Sequence, residues 1–133
     1  MANHVNMRFF LRKNARLKSE KEINDLFLTG KVFFNCPIKL LLLRNKANSS
    51  ECKLLISVSK KKFKKAVNRN LLKRRMRETL RLHLHKIKTI SEKKDTGLHI
   101  AVLYISKEIL SYHTIEKAIL ELLDQIELYL EKD

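Results

Sequence analysis

Residues 60–88, KKKFKKAVNRNLLKRRMRETLRLHLHKIK, contain thirteen lysines and arginines and a single acidic residue, Glu78. Placed on a helix at about 100° per residue, the segment from residue 66 to 88 separates into two faces. The apolar face carries Leu72, Met76, Thr79, Leu80, His83 and Ile87, and the opposite face carries Asn70, Lys73, Arg74, Arg77, Arg81 and Lys88. A disordered basic tail has no reason to keep leucine and methionine in register. The segment therefore predicts a helix that packs on a core.

The basic face of this helix has only one sign of charge. An ordinary exposed helix mixes glutamate with lysine at i,i+4, whereas this face carries no acid and its cations repel one another. Arginine outnumbers lysine along it, and the planar guanidinium suits paired phosphate oxygens and base edges. The face therefore indicates contact with nucleic acid, and a merely solvated basic helix is the alternative.

The rest of the chain predicts an α+β fold in one domain, because 133 residues with 44% hydrophobic content suffice for one core. Ser19 and Glu22 form a capping box at the start of a helix, and Gly30 predicts its left-handed stop. Strands are predicted at 32–35, 38–44, 53–58 and 98–105, with the last of them central, and NKANSSE between the second and third is typical of a hairpin loop. A final helix is predicted at 114–130.

This pattern gives the order α-β-β-β-α-β-α, a mixed sheet packed by helices in a single α/β sandwich. We expect residues 1–15 to form a flexible or extended basic N-terminus. The net charge of +15 is uneven: residues 1–105 hold 26 basic and 7 acidic side chains, whereas residues 106–133 hold 3 and 7. The basic part is expected to meet a polyanion, and the acidic tail is expected to face away from it.

Other sequence features favour a soluble cytoplasmic protein. Cys36 and Cys52 have neither metal-site spacing nor the density of a disulfide scaffold, so both are predicted to be buried thiols in a reducing compartment. The N-terminus lacks the apolar stretch of a signal peptide, and the longest apolar run, Leu40–Leu43, is far too short to span a membrane.

The sequence predicts no catalytic residue and no metal ligand. It contains no HExxH, no carboxylate pair placed for acid–base chemistry, no phosphate-binding glycine loop and no Ser/His/Asp arrangement. His83 and His85 project to nearly opposite sides of the predicted helix, with His83 next to the core. Glu78 is expected to form an ion pair with Arg74 or Arg81 rather than to act as an acid catalyst.

The segment SVSKKKFKKAVNRNLLKRRMRE closely resembles the signature of the bacterial ribonuclease P protein subunit. The matching positions are Lys60, Lys61, Lys64, Lys65, Ala66, Arg69, Asn70, Lys73, Arg74, Arg77 and Glu78. RLKSEKEINDLFLTGK is similar to the first segment of that family, including Arg16, Phe27 and Gly30. Two positions depart from the family pattern. Leu71 replaces a usual arginine, and Ile23 replaces an aromatic residue.

The resemblance implies two RNA-binding surfaces. Residues expected to bind the catalytic RNA are Lys64, Lys65, Arg69, Asn70, Lys73, Arg74, Arg77 and Arg81. Residues expected to bind the 5′ leader of precursor tRNA, in a cleft between the first helix and the sheet, are Arg16, Ile23, Phe27, Lys39, Leu41, Ser57, Lys60 and Lys61. For Ile23 and Phe27 a plain core position is the alternative.

The resemblance also implies a division of labour. The RNA subunit holds Mg²⁺ and hydrolyses the phosphodiester at the mature 5′ end of tRNA, and the protein, inactive alone, assists folding and substrate binding. No protein-bound cofactor, obligate protein partner or membrane is expected, and the family's βαβ crossover is left-handed. A ribosomal protein or general RNA chaperone is the main alternative. A metal-dependent nuclease acting alone and a membrane-surface helix fit the sequence less well.

Overall fold

The computed structural model describes Leu17, residues 19–45 and residues 52–132. Across these residues the chain forms four helices and a four-stranded sheet. In chain order they are α1 (Glu20–Thr29), β1 (Lys31–Asn35), β2 (Ile38–Asn45), β3 (Cys52–Val58), α2 (Ala66–His83), α3 (His85–Lys93), β4 (Gly97–Tyr104) and α4 (Tyr112–Glu131). The predicted α+β class and strand positions are confirmed, and the order gains one helix. Arg16 and the predicted N-terminal arm, residues 1–15, lie outside the described residues.

The sheet has the order β1-β2-β4-β3. β1 and β4 each pair antiparallel with β2, whereas β3 pairs parallel with β4. The interior position predicted for the last strand is confirmed. The hairpin predicted between β2 and β3 is wrong, because β4 lies between these two strands, and most of the segment that joins them lies outside the described residues.

The two faces of the sheet bury different partners. On one face, α2, α3 and α4 cover the main core, to which Leu72, Met76 and Leu80 contribute from α2. On the other face, α1 packs on β2 and β4, and Leu26 joins Leu41 in a smaller core. The sheet therefore separates α1 from the basic helix α2.

The single helix predicted from 66 to 88 is interrupted at Leu84. This residue keeps helical torsion angles, φ −72° and ψ −13°, and serves both as C-cap of α2 and as N-cap of α3. Leu84, Ile87 and Ile90 are all buried, so each helix keeps its own apolar face. His83 is partly exposed, and its Nε2 lies 3.9 Å from a carboxylate oxygen of Glu116 at the edge of the core.

Both ends of α1 differ in part from the predicted caps. The Ser19 hydroxyl accepts a hydrogen bond from the Glu22 amide at 3.4 Å, as expected, but the Glu22 carboxylate contacts the sheet. Gly30 has φ −68° and ψ 151°, so the predicted left-handed stop is wrong. Glycine is required there for space, because an added Cβ would lie 2.4 Å from the Leu26 carbonyl oxygen.

The last helix begins two residues before the predicted start. Ser111 precedes it, and its hydroxyl accepts a hydrogen bond from the Thr114 amide at 3.2 Å. The predicted stripe is buried at Ile115, Ile119, Leu122 and Ile126. Tyr129 is only partly buried and packs edge-on against the ring of Phe33, with centroids 5.6 Å apart.

Candidate nucleic-acid interface

One face of α2 presents polar and cationic side chains to solvent. Asn70, Arg74 and Arg77 are exposed, and Lys73 is half-buried beside them. Leu72 and Met76 on the other side of the helix are fully buried, which fixes the rotation of α2 on the core. The helix starts at Ala66 without a side-chain N-cap and without an acidic residue in its first turn. The exposed face is therefore a cationic ridge, formed by Asn70, Lys73, Arg74 and Arg77.

Two predicted RNA-binding arginines are engaged within the protein. Arg69 Nη1 donates hydrogen bonds to the carbonyl oxygens of Phe63 at 2.7 Å and Lys64 at 2.9 Å, so it holds the preceding loop. Arg81 makes a two-point contact with Glu78, with Nη2 to Oε1 at 2.6 Å and Nε to Oε2 at 3.2 Å. This contact confirms Glu78 as an ion-pair partner of Arg81, and the hydrogen bonds from Arg81 lower the pKa of the Glu78 carboxyl.

Arg75 lies off the ridge and has a structural contact. Its Nη1 donates a hydrogen bond to the carbonyl oxygen of Leu110, in the segment that leads into α4. Leu71, in the place of the family's usual arginine, is partly buried. Arg75 is therefore held toward α4 and does not replace the missing cation on the ridge.

The lysine-rich segment forms a shaped loop between β3 and α2. The Ser59 hydroxyl accepts hydrogen bonds from the amides of Lys61 at 3.2 Å and Lys62 at 3.4 Å, and Phe63 is buried against the ring of Tyr104. Lys62 Nζ donates to the carbonyl oxygen of Ile105 at 2.6 Å. The four predicted RNA-binding lysines of this loop are exposed: Lys60, Lys61, Lys64 and Lys65.

On the sheet face that carries α1, side chains lie in rows across the strands. The pairing register aligns Phe34 with Lys39, Lys39 with Leu103, and Leu103 with Ser57. We call these four residues the outer row. Lys39 and Ser57, both predicted leader contacts, are partly exposed there and share one face of the sheet.

The next row of the sheet is largely covered by α1. Leu41, a predicted leader contact, retains only 3% exposure and packs with Leu26 and Ala101, so little of its side chain is accessible to a ligand. Ile23 is partly buried and packs against the same small core, which favours the structural alternative for this residue. Phe27 is 50% exposed and keeps a ring surface available to a ligand.

The sequence prediction missed two exposed apolar side chains on β1. Val32 and Phe34 are 51% and 62% exposed, whereas Phe33 between them is buried. The three consecutive apolar residues in KVFFN contained this signal, because successive side chains of a strand point to opposite faces and one core cannot bury all three. Phe34 is an aromatic member of the outer row that the sequence prediction did not include.

A buried polar group ties α1 to the sheet. His99 Nε2 lies 3.1 Å from Glu22 Oε2, and Lys53 Nζ lies 3.8 Å from Glu22 Oε1. Burial lowers the pKa of His99 more than the neighbouring Glu22 carboxylate raises it, and Lys53 lowers it further. Glu22 therefore links the helix that carries Phe27 to two different strands, β3 and β4.

The two cysteines differ in environment. Cys36 is exposed, so the prediction that both thiols are buried is wrong for it. Cys52 is partly buried, and burial raises the pKa of its thiol to about 11. In the described part of the chain, no group of three or more His, Cys, Asp and Glu residues could hold a metal ion. None of the helices that the structure describes is long and apolar enough to cross a membrane.

The chain is similar in sequence and fold to proteins of one known family. A family model described as Ribonuclease P matches residues 11–127. The ribonuclease P protein component of Porphyromonas gingivalis is 34% identical over 111 residues, which cover 83% of this chain and 81% of the relative. That of Chlorobium phaeobacteroides is 35% identical over 136 residues, with coverage of 94% and 91%.

Solved structures with similar folds include two RNase P proteins. The Thermotoga maritima protein is 28% identical with a TM-score of 0.65, and the match covers 83% of this chain and 96% of that one. The Staphylococcus aureus protein, at 24% identity and a TM-score of 0.68, shares the fold over 84% and 94% of the two chains. This chain therefore belongs to the bacterial ribonuclease P protein family, RNA-binding components of the RNase P endoribonuclease that acts in tRNA processing.

Proposed function

We propose that this chain holds two RNAs at once within the RNase P holoenzyme. The cationic ridge of α2 and the lysines at its start bind the catalytic RNA. The sheet face beside α1 binds the single-stranded 5′ leader of precursor tRNA. The observation that carries the proposal is the position of these surfaces: α2 packs on one face of the sheet, and the outer row lies on the other.

The ridge suits a folded RNA surface. Arg74 and Arg77 are exposed on a helix whose rotation is fixed by fully buried residues. The backbone from which their side chains project is therefore fixed relative to the core. Their guanidinium groups can pair with two phosphate oxygens at once. The uncapped start of α2 adds free backbone amides and the positive end of the helix dipole beside Lys64 and Lys65.

The outer row suits a single strand. Proteins bind single-stranded RNA by combining backbone charge with aromatic surfaces on which bases stack. Lys39 supplies charge in the row, Lys60 and Lys61 supply it just beyond the end of β3, and Phe27 supplies a half-exposed ring from α1. Arg69 supports this site indirectly, because it holds the carbonyl groups of the loop that carries the lysines.

We assign the hydrolytic step to the RNA subunit. Mg²⁺, held by that RNA, supplies charge stabilisation for the phosphodiester. The described residues of this chain offer no cluster of ligands for such an ion. The protein residues bind and orient: the ridge fixes the position of the protein on its RNA partner, and the leader face holds the substrate segment upstream of the cleaved bond.

Arg74→Ala tests the ridge. We expect weaker binding to the RNA subunit and a salt dependence of log K that is flatter by about 0.7 to 0.9 for each phosphate that is no longer neutralised. Lys117→Ala, which removes an exposed cation from α4, is the matched control and should leave the slope unchanged. Equal slopes for Arg74→Ala and wild type would mean that this arginine only solvates the helix.

Phe27→Ala tests the leader face in the reconstituted holoenzyme. We expect a reduced preference for precursor over mature tRNA, with affinity for the RNA subunit retained, whereas Arg74→Ala should give the reverse at saturating protein. If both variants lose both properties together, the two-surface proposal is wrong. Cleavage by wild-type protein with Mg²⁺ and no RNA subunit would contradict the assignment of catalysis. Co-purification with ribosomal RNA alone would favour the ribosomal alternative.

A further inference from the structure

Phe34 presents an aromatic ring to solvent from a regular strand. It is 62% exposed, and Val32, two residues earlier on the same side of β1, is 51% exposed. Phe33 between them is buried in the main core, which anchors the strand from which Val32 and Phe34 project. Val32 and Phe34 thus form an exposed apolar patch on a regular strand, and such patches often mark a binding surface.

The position of Phe34 connects it to the proposed leader face. It is paired with Lys39 across β1 and β2, and the same row continues through Leu103 to Ser57. Helix α1 packs on β2 and β4, which leaves the outward side of β1 open. The row crosses all four strands, so Phe34 lies three strand spacings, about 14 Å, from Ser57.

We propose that Phe34 is a stacking platform for a leader base that lies beyond the part of the leader held by Phe27, Ser57 and the lysine loop. This inference rests on the proposed leader face and extends it to the β1 edge. Lys39 beside Phe34 in the row supplies charge for the phosphate next to the stacked base. The base contact is sequence-tolerant, because every base has a π-face.

The charges around Phe34 favour RNA over a second copy of this chain. Lys39 adjoins the ring in the row, on the same face of the sheet. Two copies that met through this edge would bring their Lys39 side chains together in a chain whose net charge is already +15. A polyanion instead neutralises them. In this chain Ile23 replaces an aromatic residue that is usual in the family, so one expected stacking surface on α1 is missing. The Phe34 ring supplies another aromatic surface on the same face of the sheet.

The experiment measures precursor preference as a function of leader length. Holoenzymes carrying wild-type protein, Phe34→Ala, Phe34→Leu or Phe34→Tyr are compared on one tRNA whose leader ranges from one nucleotide to about ten. With long leaders, Phe34→Ala and Phe34→Leu should lose at least about fivefold in precursor affinity, the lower end of one stacked base. With the shortest leaders they should match wild type, and Phe34→Tyr should match it at every length. Leu128→Ala, which shortens a 60% exposed side chain on α4, should have no effect.

Each other outcome overturns the inference in a recognisable way. If wild type shows no leader preference at any length, the proposed leader face itself fails. If wild type shows the preference and Phe34→Ala keeps it at every length, only the assignment of Phe34 fails. If Phe34→Leu behaves as wild type, the contact is apolar and not stacking. If Phe34→Ala changes only the concentration-dependent sedimentation of the free protein, the patch is a contact between two copies.

Discussion

Gly30→Ala, at the junction of α1 and β1, should change the free energy of unfolding through two effects of opposite sign: a stiffer unfolded chain and a steric clash in the folded protein. Gly30 has φ −68°, a conformation that alanine adopts freely. Alanine would therefore stabilise the protein by about 0.4 to 1 kcal/mol through a stiffer unfolded chain if nothing stood in its way. However, the added Cβ would lie 2.4 Å from the Leu26 carbonyl oxygen and 3.0 Å from Leu26 Cδ1. The Leu26 carbonyl oxygen is a backbone atom, so it cannot move away by a change of rotamer as a side chain could.

Relief of this clash requires α1 to move relative to the sheet. The same Leu26 carbonyl oxygen accepts the hydrogen bond from the Gly30 amide at 2.9 Å. The added Cβ would also lie 3.3 Å from the Leu42 carbonyl oxygen of β2. Overpacking of this kind costs about 1 to 3 kcal/mol, which exceeds the gain from the unfolded state. The difference between these ranges predicts a net loss in the free energy of unfolding between about 0 and 2.6 kcal/mol, with a midpoint of about 1.3 kcal/mol.

Urea denaturation followed by circular dichroism measures this loss. Gly30→Ser introduces a Cβ at the same point and should lose a similar amount, whereas Thr29→Ala, one residue earlier on the exposed side of α1, should lose less. Because α1 carries Phe27, the holoenzyme with Gly30→Ala should also show a weaker precursor preference. A Gly30→Ala protein more stable than wild type would refute the reasoning, since the unfolded-state effect would then have outweighed the clash.

Two further predictions concern the core and the buried histidine. Leu80→Ala truncates a fully buried side chain of α2 and should lower the free energy of unfolding by about 2 to 5 kcal/mol. Leu128→Ala, at an exposed position, should change it by no more than about 0.5 kcal/mol. Similar losses for both variants in urea denaturation would mean that α2 is rotated from its described position. Since the folded-state pKa of His99 is lowered, the unfolded chain takes up the proton first, and stability should fall as the pH drops below 6.5. In urea denaturation at several pH values, His99→Gln should remove this dependence of the free energy of unfolding on pH between pH 6.5 and 5. If the wild-type protein instead gains stability as the pH falls over that interval, the Glu22 carboxylate raises the pKa of His99 more than burial and Lys53 lower it.

Hydrophobic alternation was sufficient to predict the strands but not their order. Leu54, Ile56 and Val58 alternate with Lys53, Leu55 and Ser57, which predicts one dry face; Leu54 and Val58 are buried, whereas Ile56 is only partly buried. The continuous apolar run of β4 predicted its interior position. The error lay in pairing β2 with β3, because consecutive strands are neighbours in most sheets. Here β4 enters between them, and nothing in the pattern of either strand specifies its partner.

The break at Leu84 and the role of Gly30 were missed for a different reason. Leu84 keeps helical torsion angles and has no glycine or proline beside it, so the local sequence carries no stop signal. The interruption follows from the packing of two successive apolar faces on one core. Gly30 was assigned a left-handed conformation because that is the usual reason for glycine after a helix. The actual reason, the close approach of two backbone segments, depends on tertiary structure.

Among the cations of α2, a helical wheel shows direction but not hydrogen-bond partners. Arg69, Arg74 and Arg81 all project from the helix in the general direction predicted for RNA contact. Of these three, Arg74 alone makes no side-chain hydrogen bond or ion pair with the residues that the structure describes. Arg69 is committed to two carbonyl groups of the lysine loop, and Arg81 is largely neutralised by Glu78. In the proposed complex, the attraction of α2 for RNA is therefore concentrated at Lys73, Arg74 and Arg77.

The lysine-rich loop connects the two surfaces that we propose bind RNA. The loop from Ser59 to Lys65 leaves the end of β3, where Ser57 belongs to the outer row, and enters α2, which packs on the opposite face. Phe63 anchors the loop in the main core, and Arg69 fixes its carbonyl groups from the first turns of the helix. Lys60 and Lys61 thereby lie near the proposed leader face, while Lys64 and Lys65 lie at the start of the ridge. Arg69, whose binding to RNA stays a prediction, also holds the carbonyl groups of Phe63 and Lys64 in this loop through its Nη1.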